Sequence, residues 1–250
     1  MRYYDLTGDT NALGYVNRAI DSYWAVARAN RSVAKIKYDN DWFMDVYSRA
    51  VAQSYFVMGD ERPRDLVIGL ARGRANLPNA TEAERKYGWP TMIAFCWDQT
   101  GLPEYANDNP QRYARLGGYF PSCAGYLWAK PRPDKTAPSA VKDLAAKAVD
   151  NGEVELSWTA PGDDGDTGTA AVYQVKLDDL AIVEQAGDGK ECNFWAASNV
   201  AGEPKPAAAG TKQTFVVKGL KAGTCHFAMK TRDEINNESP LSNVVTVEVK

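Results

Sequence analysis

Aromatic, acidic and basic side chains that could bind and cleave a sugar polymer are concentrated in the first half of the chain. They lie in two short stretches, with Asp41 and Trp42 in the first and Arg85, Tyr87, Trp89, Trp97 and Asp98 in the second. Aromatic rings offer flat apolar faces on which the C–H groups of a sugar can stack, and carboxylates and amides beside them can bind its hydroxyl groups. These residue types predict a sugar-binding site with catalytic groups beside it.

Two types of reaction fit these residues. A glycosidase needs two carboxyl groups, one as proton donor and one as base or nucleophile, and Asp41 and Asp98 are the candidates. A lyase needs a base together with a cation that neutralises the uronate carboxylate, and Tyr87 and Arg85 would supply these. The sequence does not choose between the two reactions.

The tryptophans and Asp41 also have a second interpretation. Trp42, Trp89 and Trp97 could stack on a sugar substrate, or they could pack between helices as ordinary core residues. Asp41 is well placed to cap a helix that begins at Trp42, because a carboxylate there accepts the free N–H groups of the first turn. Both interpretations stay open at this stage.

A second group of carboxylates lies in an acidic loop, 162–168, between two predicted strands. Asp163, Asp164 and Asp166 could surround Ca²⁺, which takes six to eight oxygen ligands. Glycine and aspartate equally favour a solvated turn, and the loop lacks the distal glutamate of an EF-hand. His226 is the single histidine. We therefore predict no metal and no cofactor, with calcium at these aspartates as the one alternative.

The composition excludes several function classes. Of the 250 residues, 44% are hydrophobic and 24% are charged, which is typical of a globular protein. The net charge of -3 provides no basic surface for nucleic acid. No apolar run is long enough for a transmembrane helix, and the first residues lack the apolar region of a signal peptide. We expect neither nucleic acid as a partner nor insertion into a membrane.

The four cysteines are Cys96, Cys123, Cys192 and Cys225. They are divided equally between the two halves of the chain, so one disulfide in each half and four buried thiols are both compatible with the sequence. Their spacing does not match a zinc motif.

The composition changes near residue 130. Three prolines fall within 131–138, and such a segment accommodates neither a helix nor a central strand. We predict an α-helical domain at 1–130, a proline-rich linker at 131–137 and a β-sandwich at 138–250.

Helical hairpins are predicted in the first domain. Apolar residues recur three and four apart from Leu13 to Ala27, as on one face of a helix. Gly8, Gly59 and Gly101 each follow an aromatic residue by four positions. Since glycine commonly ends a helix in the left-handed conformation, we predict turns with positive φ at all three.

The second domain alternates with the period of β-strands. Segments 154–161 and 173–176 fit strands B and C of a fibronectin type III module, and 219–243 looks like the end of the same module. This domain resembles such a module, which rarely carries out chemistry. Phe227 and Met229 are predicted to face the core, and the extra length around 193–195 and 202–206 predicts an inserted loop.

The glycine-terminated hairpins of 1–130 resemble the α/α-toroid fold of polysaccharide lyases and glycoside hydrolases. A closed toroid needs more hairpins than this half contains, so the resemblance implies the C-terminal portion of a longer protein. That protein would be secreted, bacterial-type and carbohydrate-active, with an accessory sandwich, and this fragment would be inactive alone. The alternative is a non-enzymatic extracellular module that binds carbohydrate or protein.

The resemblance also sets expectations for partners and location. A polysaccharide is the implied ligand, and an extracellular or periplasmic location is expected. An incomplete ring would expose apolar surface, which predicts self-association.

Overall fold

The computed structural model describes residues 8–33, 54–55, 58–66, 69, 134 and 136–250, apart from 151, 185–189 and 236. The chain divides into two compact units, Met1–Pro133 and Asp134–Lys250. Each unit is described by itself below.

Helix α1, Asn11–Asn30, is the long element among the described residues of the first unit and buries Ile20 and Ala27. The stripe of apolar residues from Leu13 to Ala27 therefore predicted it correctly. The Asn11 N–H donates to Asp9 Oδ1 at 2.9 Å, which satisfies one of the free donors of the first turn. The helix ends where Arg31 takes the left-handed conformation, with φ 52°.

Two of the predicted glycine turns are confirmed. Gly8 has φ 68° and Gly59 has φ 65°, and the Gly59 N–H donates to the Tyr55 carbonyl at 3.1 Å as a helical turn ends. A new helical segment, 61–66, follows. The Arg62 N–H donates to Asp60 Oδ1 at 2.9 Å in its first turn. Gly101 lies outside the described residues.

The α/α-toroid is not shown. In the part of the first unit that the structure describes, α1 and the segment 61–66 are joined by an ion pair at 2.9 Å between Arg62 and Asp21. A contact of this kind occurs in any helical assembly, so it does not support a ring of hairpins. None of the described helices has both the length and the apolar character needed to cross a membrane.

The second unit is a fibronectin type III-like β-sandwich. In chain order its strands are β1 (Ala145–Asp150), β2 (Glu153–Thr159), β3 (Val172–Asp178), β4 (Ala181–Val183), β5 (Glu191–Asn193), β6 (Ser198–Asn199), β7 (Lys212–Val217), β8 (Gly223–Arg232) and β9 (Val245–Val249). One sheet has the order β1-β2-β7 and the other has the order β6-β3-β8-β9. All pairs within these two sheets are antiparallel, whereas β4 and β5 form a short parallel pair.

Alternate side chains of the central strands fill the space between the two sheets. In β2, Val154, Leu156 and Trp158 are buried and the residues between them are half-buried. Phe227 and Met229 of β8 face them and are fully buried, which confirms their predicted positions. Cys225 packs at the edge of the same core.

A T-shaped pair of aromatic rings joins the sheets at the end of the core. The ring centroids of Trp158 and Tyr173 lie 5.2 Å apart with an interplanar angle of 87°, a favoured geometry because the positive ring edge meets the negative ring face. The Tyr173 hydroxyl donates to Gln213 Oε1 at 2.6 Å. Burial raises the pKa of Tyr173.

In the segment 239–243, side chains take the place of a neighbouring strand as hydrogen-bond partners of backbone groups. The Thr231 N–H donates to Ser239 Oγ and the Met229 N–H donates to Ser242 Oγ, each at 2.9 Å. Asn243 accepts from the Leu144 N–H at 3.0 Å and donates to the Leu144 carbonyl at 2.8 Å. These bonds pair buried backbone groups that the sheet leaves free.

The first prediction concerns the shared core. Phe227→Ala should lower the free energy of unfolding of the sandwich by about 3–5 kcal/mol, because it leaves a cavity among residues that interdigitate from both sheets. Guanidinium unfolding followed by tryptophan fluorescence measures the change. Val244→Ala is the matched control, since Val244 is 37% exposed and should change stability by only a few tenths of a kcal/mol. Equal effects of the two substitutions would contradict this description of the core.

Candidate functional site

The residues predicted to act on a sugar polymer lie outside the described part of the chain. These are Asp41, Trp42, Arg85, Tyr87, Trp89, Trp97 and Asp98. The structure therefore does not test whether they come together.

Three carboxylates converge at one end of the sandwich, in a group that we call the acidic corner. It consists of Asp134, Asp163 and Glu234, each of which offers one oxygen, and these oxygens all lie within 4.8 Å of one another. Asp134 precedes the first strand, Asp163 lies between β2 and β3, and Glu234 follows β8. The acidic corner thus joins three segments that are far apart in the sequence.

The loop 162–168 is held in a fixed shape by its own backbone. The Asp163 and Asp164 N–H groups both donate to the Thr167 carbonyl, at 2.7 and 3.1 Å. Gly162 is required here because a Cβ at this position would lie 2.1 Å from the Thr167 oxygen. Gly165 exchanges hydrogen bonds of 3.0 Å with Ala137 and Ser139, which secures the segment after Asp134.

Glu234 is positioned by the turn that Asp233 organises. Asp233 Oδ1 accepts from the Ile235 and Asn237 N–H groups at 3.0 and 2.7 Å. The Asn237 amide donates to Asp233 Oδ2 at 2.6 Å and reaches the Asp134 carbonyl at 3.5 Å. One side-chain network therefore holds two of the three segments together.

The carboxylates of this region repel one another. Desolvation, followed by the charges of Glu234 and Asp233, raises the pKa of Asp163. Desolvation, followed by Asp134, raises the pKa of Asp164. Like charges in a partly desolvated place favour the protonated form, so a proton or a cation at the acidic corner would relieve the repulsion.

The predicted calcium ligands only partly match the acidic corner. Asp163 belongs to it, Asp164 lies beside Asp134, and Asp166 is exposed elsewhere in the loop. Three carboxylate oxygens suit a hard divalent cation but are fewer than the six to eight ligands of Ca²⁺, so carbonyl groups or water would have to complete the shell. The prediction that the chain holds no metal stays a prediction.

A second polar arrangement, the buried lysine centre, lies on the outer face of the sheet β6-β3-β8-β9. It consists of Lys176 and Lys230 on the sheet, Phe194 and Trp195 above them, and the carboxylates of Glu184 and Glu238. Both lysines are almost completely buried. A buried ammonium group is costly unless it is paired, so its neighbours decide whether this fold is stable.

Lys230 is paired on two sides and covered by aromatic rings. Its Nζ lies 2.5 Å from Glu184 Oε1 and 3.0 Å from Glu238 Oε1. It also lies 5.2 Å from the ring centroid of Trp195 and 5.6 Å from that of Phe194. These distances allow cation–π attraction in addition to the ion pairs.

Lys176 uses the same aromatic cover with a different partner. Its Nζ donates to the Ala197 carbonyl at 3.3 Å and lies 5.5 Å from the Phe194 ring centroid. The Trp195 N–H donates to Asn193 Oδ1 at 3.2 Å, which starts the short 3₁₀ helix Phe194–Ala196. That helix places both rings over the lysines.

Sequence reasoning identified the pieces of these arrangements but not their contacts. The insertion around 193–195 was predicted, whereas Lys176 and Lys230 sit at alternating positions that are typical of a solvent-facing side. Asp134 fell in the predicted linker. The available signal was the fibronectin type III resemblance, because the loops after the second and sixth strands of such a sandwich meet at one end.

The state of two cysteines is also settled. Cys192 is buried and Cys225 is half-buried, and both are free thiols. Burial, followed by the charges of Glu248 and nearby aspartates, raises the pKa of Cys225. Cys96 and Cys123 lie outside the described residues.

Comparison with known proteins identifies relatives of this chain. It is 28% identical over 221 residues to human "Calcium-activated chloride channel regulator 1" and 29% identical over 220 residues to the macaque (Macaca mulatta) protein of the same name. Each match covers 81% of this chain and 22% of the relative. The horse (Equus caballus) protein is 32% identical over 124 residues, 47% of this chain and 13% of that one. The chain thus spans about a fifth of the length of the curated relatives that it matches most extensively. No family model matches the chain.

Solved structures with similar folds include small β-domains. The sixth fibronectin type III domain of human fibronectin type III domain containing protein 3 is 16% identical, with a TM-score of 0.29, covering 46% of this chain and 89% of that one. The PKD domain of an M14-like peptidase from a Thermoplasmatales archaeon is 17% identical, with a TM-score of 0.30, covering 46% and 98%. The strand order and register of the second unit define it as a sandwich.

The prediction of a bacterial-type, carbohydrate-active protein is wrong. The relatives are animal proteins named as regulators of chloride channels, not enzymes that act on carbohydrates. Aromatic residues beside carboxylates and glycine-terminated helices also arise from plain helix packing and capping, so this pattern was not specific for a sugar site.

The second prediction concerns the charge of the acidic corner. The folded-state pKa of Asp163 is raised, so its contribution to stability is present at low pH and is lost as the pH rises through that pKa. In EDTA at pH 7, Asp163→Asn should raise the melting temperature slightly. The gain in the free energy of unfolding should be about 0.5 kcal/mol or less, since solvent screens exposed charges. This gain in stability should disappear in acid, where Asp163 of the wild type is protonated and therefore as uncharged as the asparagine of the variant.

Asp143→Asn is the control of opposite sign. Hydrogen bonds from Lys212 and Thr159 lower the pKa of Asp143 from 3.8 to about 2, so its contribution is present at neutral pH and is lost as the pH falls through about 2. This substitution should lower the melting temperature at pH 7. Scanning calorimetry of both variants from pH 2 to 8 makes the comparison. A lower melting temperature for Asp163→Asn in EDTA would show that the acidic corner is held by net attraction instead.

Proposed function

We propose that this chain is part of a regulator of calcium-activated chloride channels, in which the sandwich 134–250 is a non-catalytic module. The observation that carries this proposal is the extent of the similarity. A match over 81% of the chain is longer than either compact unit, so it crosses the boundary between them. A chance match to one common β-sandwich would be confined to the second unit.

The structure of the sandwich supports a structural or binding role. Its inner core is filled by interdigitating side chains of both sheets, and the lysines on its outer face are already paired within the unit. Such an arrangement gives a stiff body that can space or present neighbouring segments. An extracellular location is part of the proposal, because modules of this type are typical of secreted proteins.

Polysaccharide binding follows only from the toroid resemblance and is not part of this proposal. Self-association through apolar surface of the first unit stays a prediction. In the proposed role, the segment before β1 is fixed to two loops by the hydrogen bonds of Gly165 with Ala137 and Ser139 and of Asn237 with Asp134.

The third prediction tests the proposal in a chimera. The aligned segment of the human relative is replaced by this chain, and calcium-activated chloride currents are recorded in cells that express the chimera. The chimera should change the current in the same direction as the unmodified relative, because the segment supplies an equivalent module. A version with the segment deleted should change the current less.

The matched control is a chimera that carries Phe227→Ala, which should weaken the effect through loss of folded protein. Secretion level and resistance to limited proteolysis verify that each chimera is folded. A folded and normally secreted chimera that affects the current no more than the deletion would contradict the proposed function.

A further inference from the structure

One face of the sandwich is covered although its sequence suits it to water. The outward positions of β3 are Gln174, Lys176 and Asp178, and those of β8 include Lys230 and Arg232. All five are buried. In a two-layer sandwich such a face is normally in contact with solvent, so these residues do not themselves require a cover.

The cover is the segment 191–199, which we call the strap. Its residues Cys192, Phe194, Trp195, Ala196 and Ala197 are each no more than 1% exposed. The strap therefore rests its apolar side chains on charged and polar groups rather than on the apolar core between the sheets. Such contacts depend on the two lysines as cations beneath the rings.

Backbone pairing attaches the strap to the main sheet at few positions, whereas its β5 residues pair with β4 outside that sheet. Strand β6 within the strap pairs with β3 at two positions, Lys176 with Asn199 and Leu177 with Ser198, and the Val200 N–H donates to the Val175 carbonyl at 3.0 Å. By contrast, β3 pairs with β8 along its whole length, from Val172 to Asp178. Strands β3, β8 and β9 can keep the hydrogen bonds that they make with one another without the strap.

The carboxylates around Lys230 differ in where they come from. Glu184 lies just after β4, outside the main sheets, and its side chain is 41% exposed. Glu238 lies in the loop between β8 and β9 and is 2% exposed. If the strap and Glu184 moved away, Lys230 would keep Glu238 and gain water, so no charge would be left buried and unpaired.

From these observations we infer that the strap is a releasable cover, which opens from the sheet without unfolding the sandwich and is latched by the ion pair of Glu184 with Lys230. Opening exposes Lys176 and Lys230 on the sheet and frees Phe194 and Trp195 on the strap. The inner core of Trp158, Tyr173 and Phe227 stays intact. The strap is thus a conformational device that can present a basic sheet face and an aromatic segment in one step.

Amide hydrogen exchange of the full chain tests this inference. In the wild type, the amides of 192–199 should exchange faster than those of 227–231, because local opening needs less free energy than global unfolding. Glu184→Gln should speed exchange of 192–199 by about threefold to tenfold through loss of a charge-assisted contact. Exchange of 227–231 should not change.

The matched control is Glu153→Gln. Glu153 pairs with Lys218 at 3.1 Å on the other sheet, so this variant has the same change of charge but should leave strap exchange unaltered. A second variant, Phe194→Ala, should speed strap exchange further, and the intact protection of 227–231 would show that it still folds. The inference is overturned if 192–199 and 227–231 exchange at one common rate in the wild type. It is also overturned if Glu184→Gln and Glu153→Gln act alike.

Discussion

The burial of two lysine ammonium groups on one sheet face is the constraint on which the outer half of the sandwich depends. Removing an ammonium group from water costs several kcal/mol unless other groups replace the lost hydration. At Lys230 the replacement comes from two carboxylates and two aromatic rings, and at Lys176 it comes from a carbonyl and one of the same rings. The position of the segment 191–199 follows from this requirement, because Phe194 lies against both cations and Trp195 lies against Lys230.

The two faces of the sheet β6-β3-β8-β9 are therefore buried by different kinds of contact. Its inner face meets the other sheet through apolar groups such as Val175, Phe227 and Met229, where burial from water supplies the stabilisation. Its outer face forms ion pairs with Glu184 and Glu238, and it meets the strap through hydrogen bonds and cation–π contacts. Contacts of these kinds are more sensitive to charge and solvent. A single strand such as β8 serves both, because its successive side chains point to opposite faces.

The sequence predicted most of the core between the two sheets and little of the cover on the outer sheet face. Period-two alternation placed Phe227 and Met229 in the core, and the apolar stripe predicted α1, because both signals are local. The glycines at 8 and 59 were readable because a positive φ is a local requirement. The burial of Lys176 and Lys230 could not be predicted, since an insertion some twenty residues away along the chain covers Lys176. The acidic corner likewise depends on three distant segments, so its composition follows from topology and not from the loop 162–168 alone.

The failure of the carbohydrate interpretation has a physical cause that extends beyond this protein. Stacking aromatics, capping aspartates and glycine-terminated helices are the ordinary devices by which helices pack and end, so they occur wherever helices do. A catalytic site differs from them only in the convergence of its groups in space, which one sequence does not display. In the second unit, by contrast, convergence is seen directly: Asp134, Asp163 and Glu234 meet across three segments, and Lys230 joins Glu184 to Glu238. At Lys230 paired charges tie segments to the sandwich, whereas at the acidic corner backbone and side-chain hydrogen bonds hold together segments whose carboxylates repel one another.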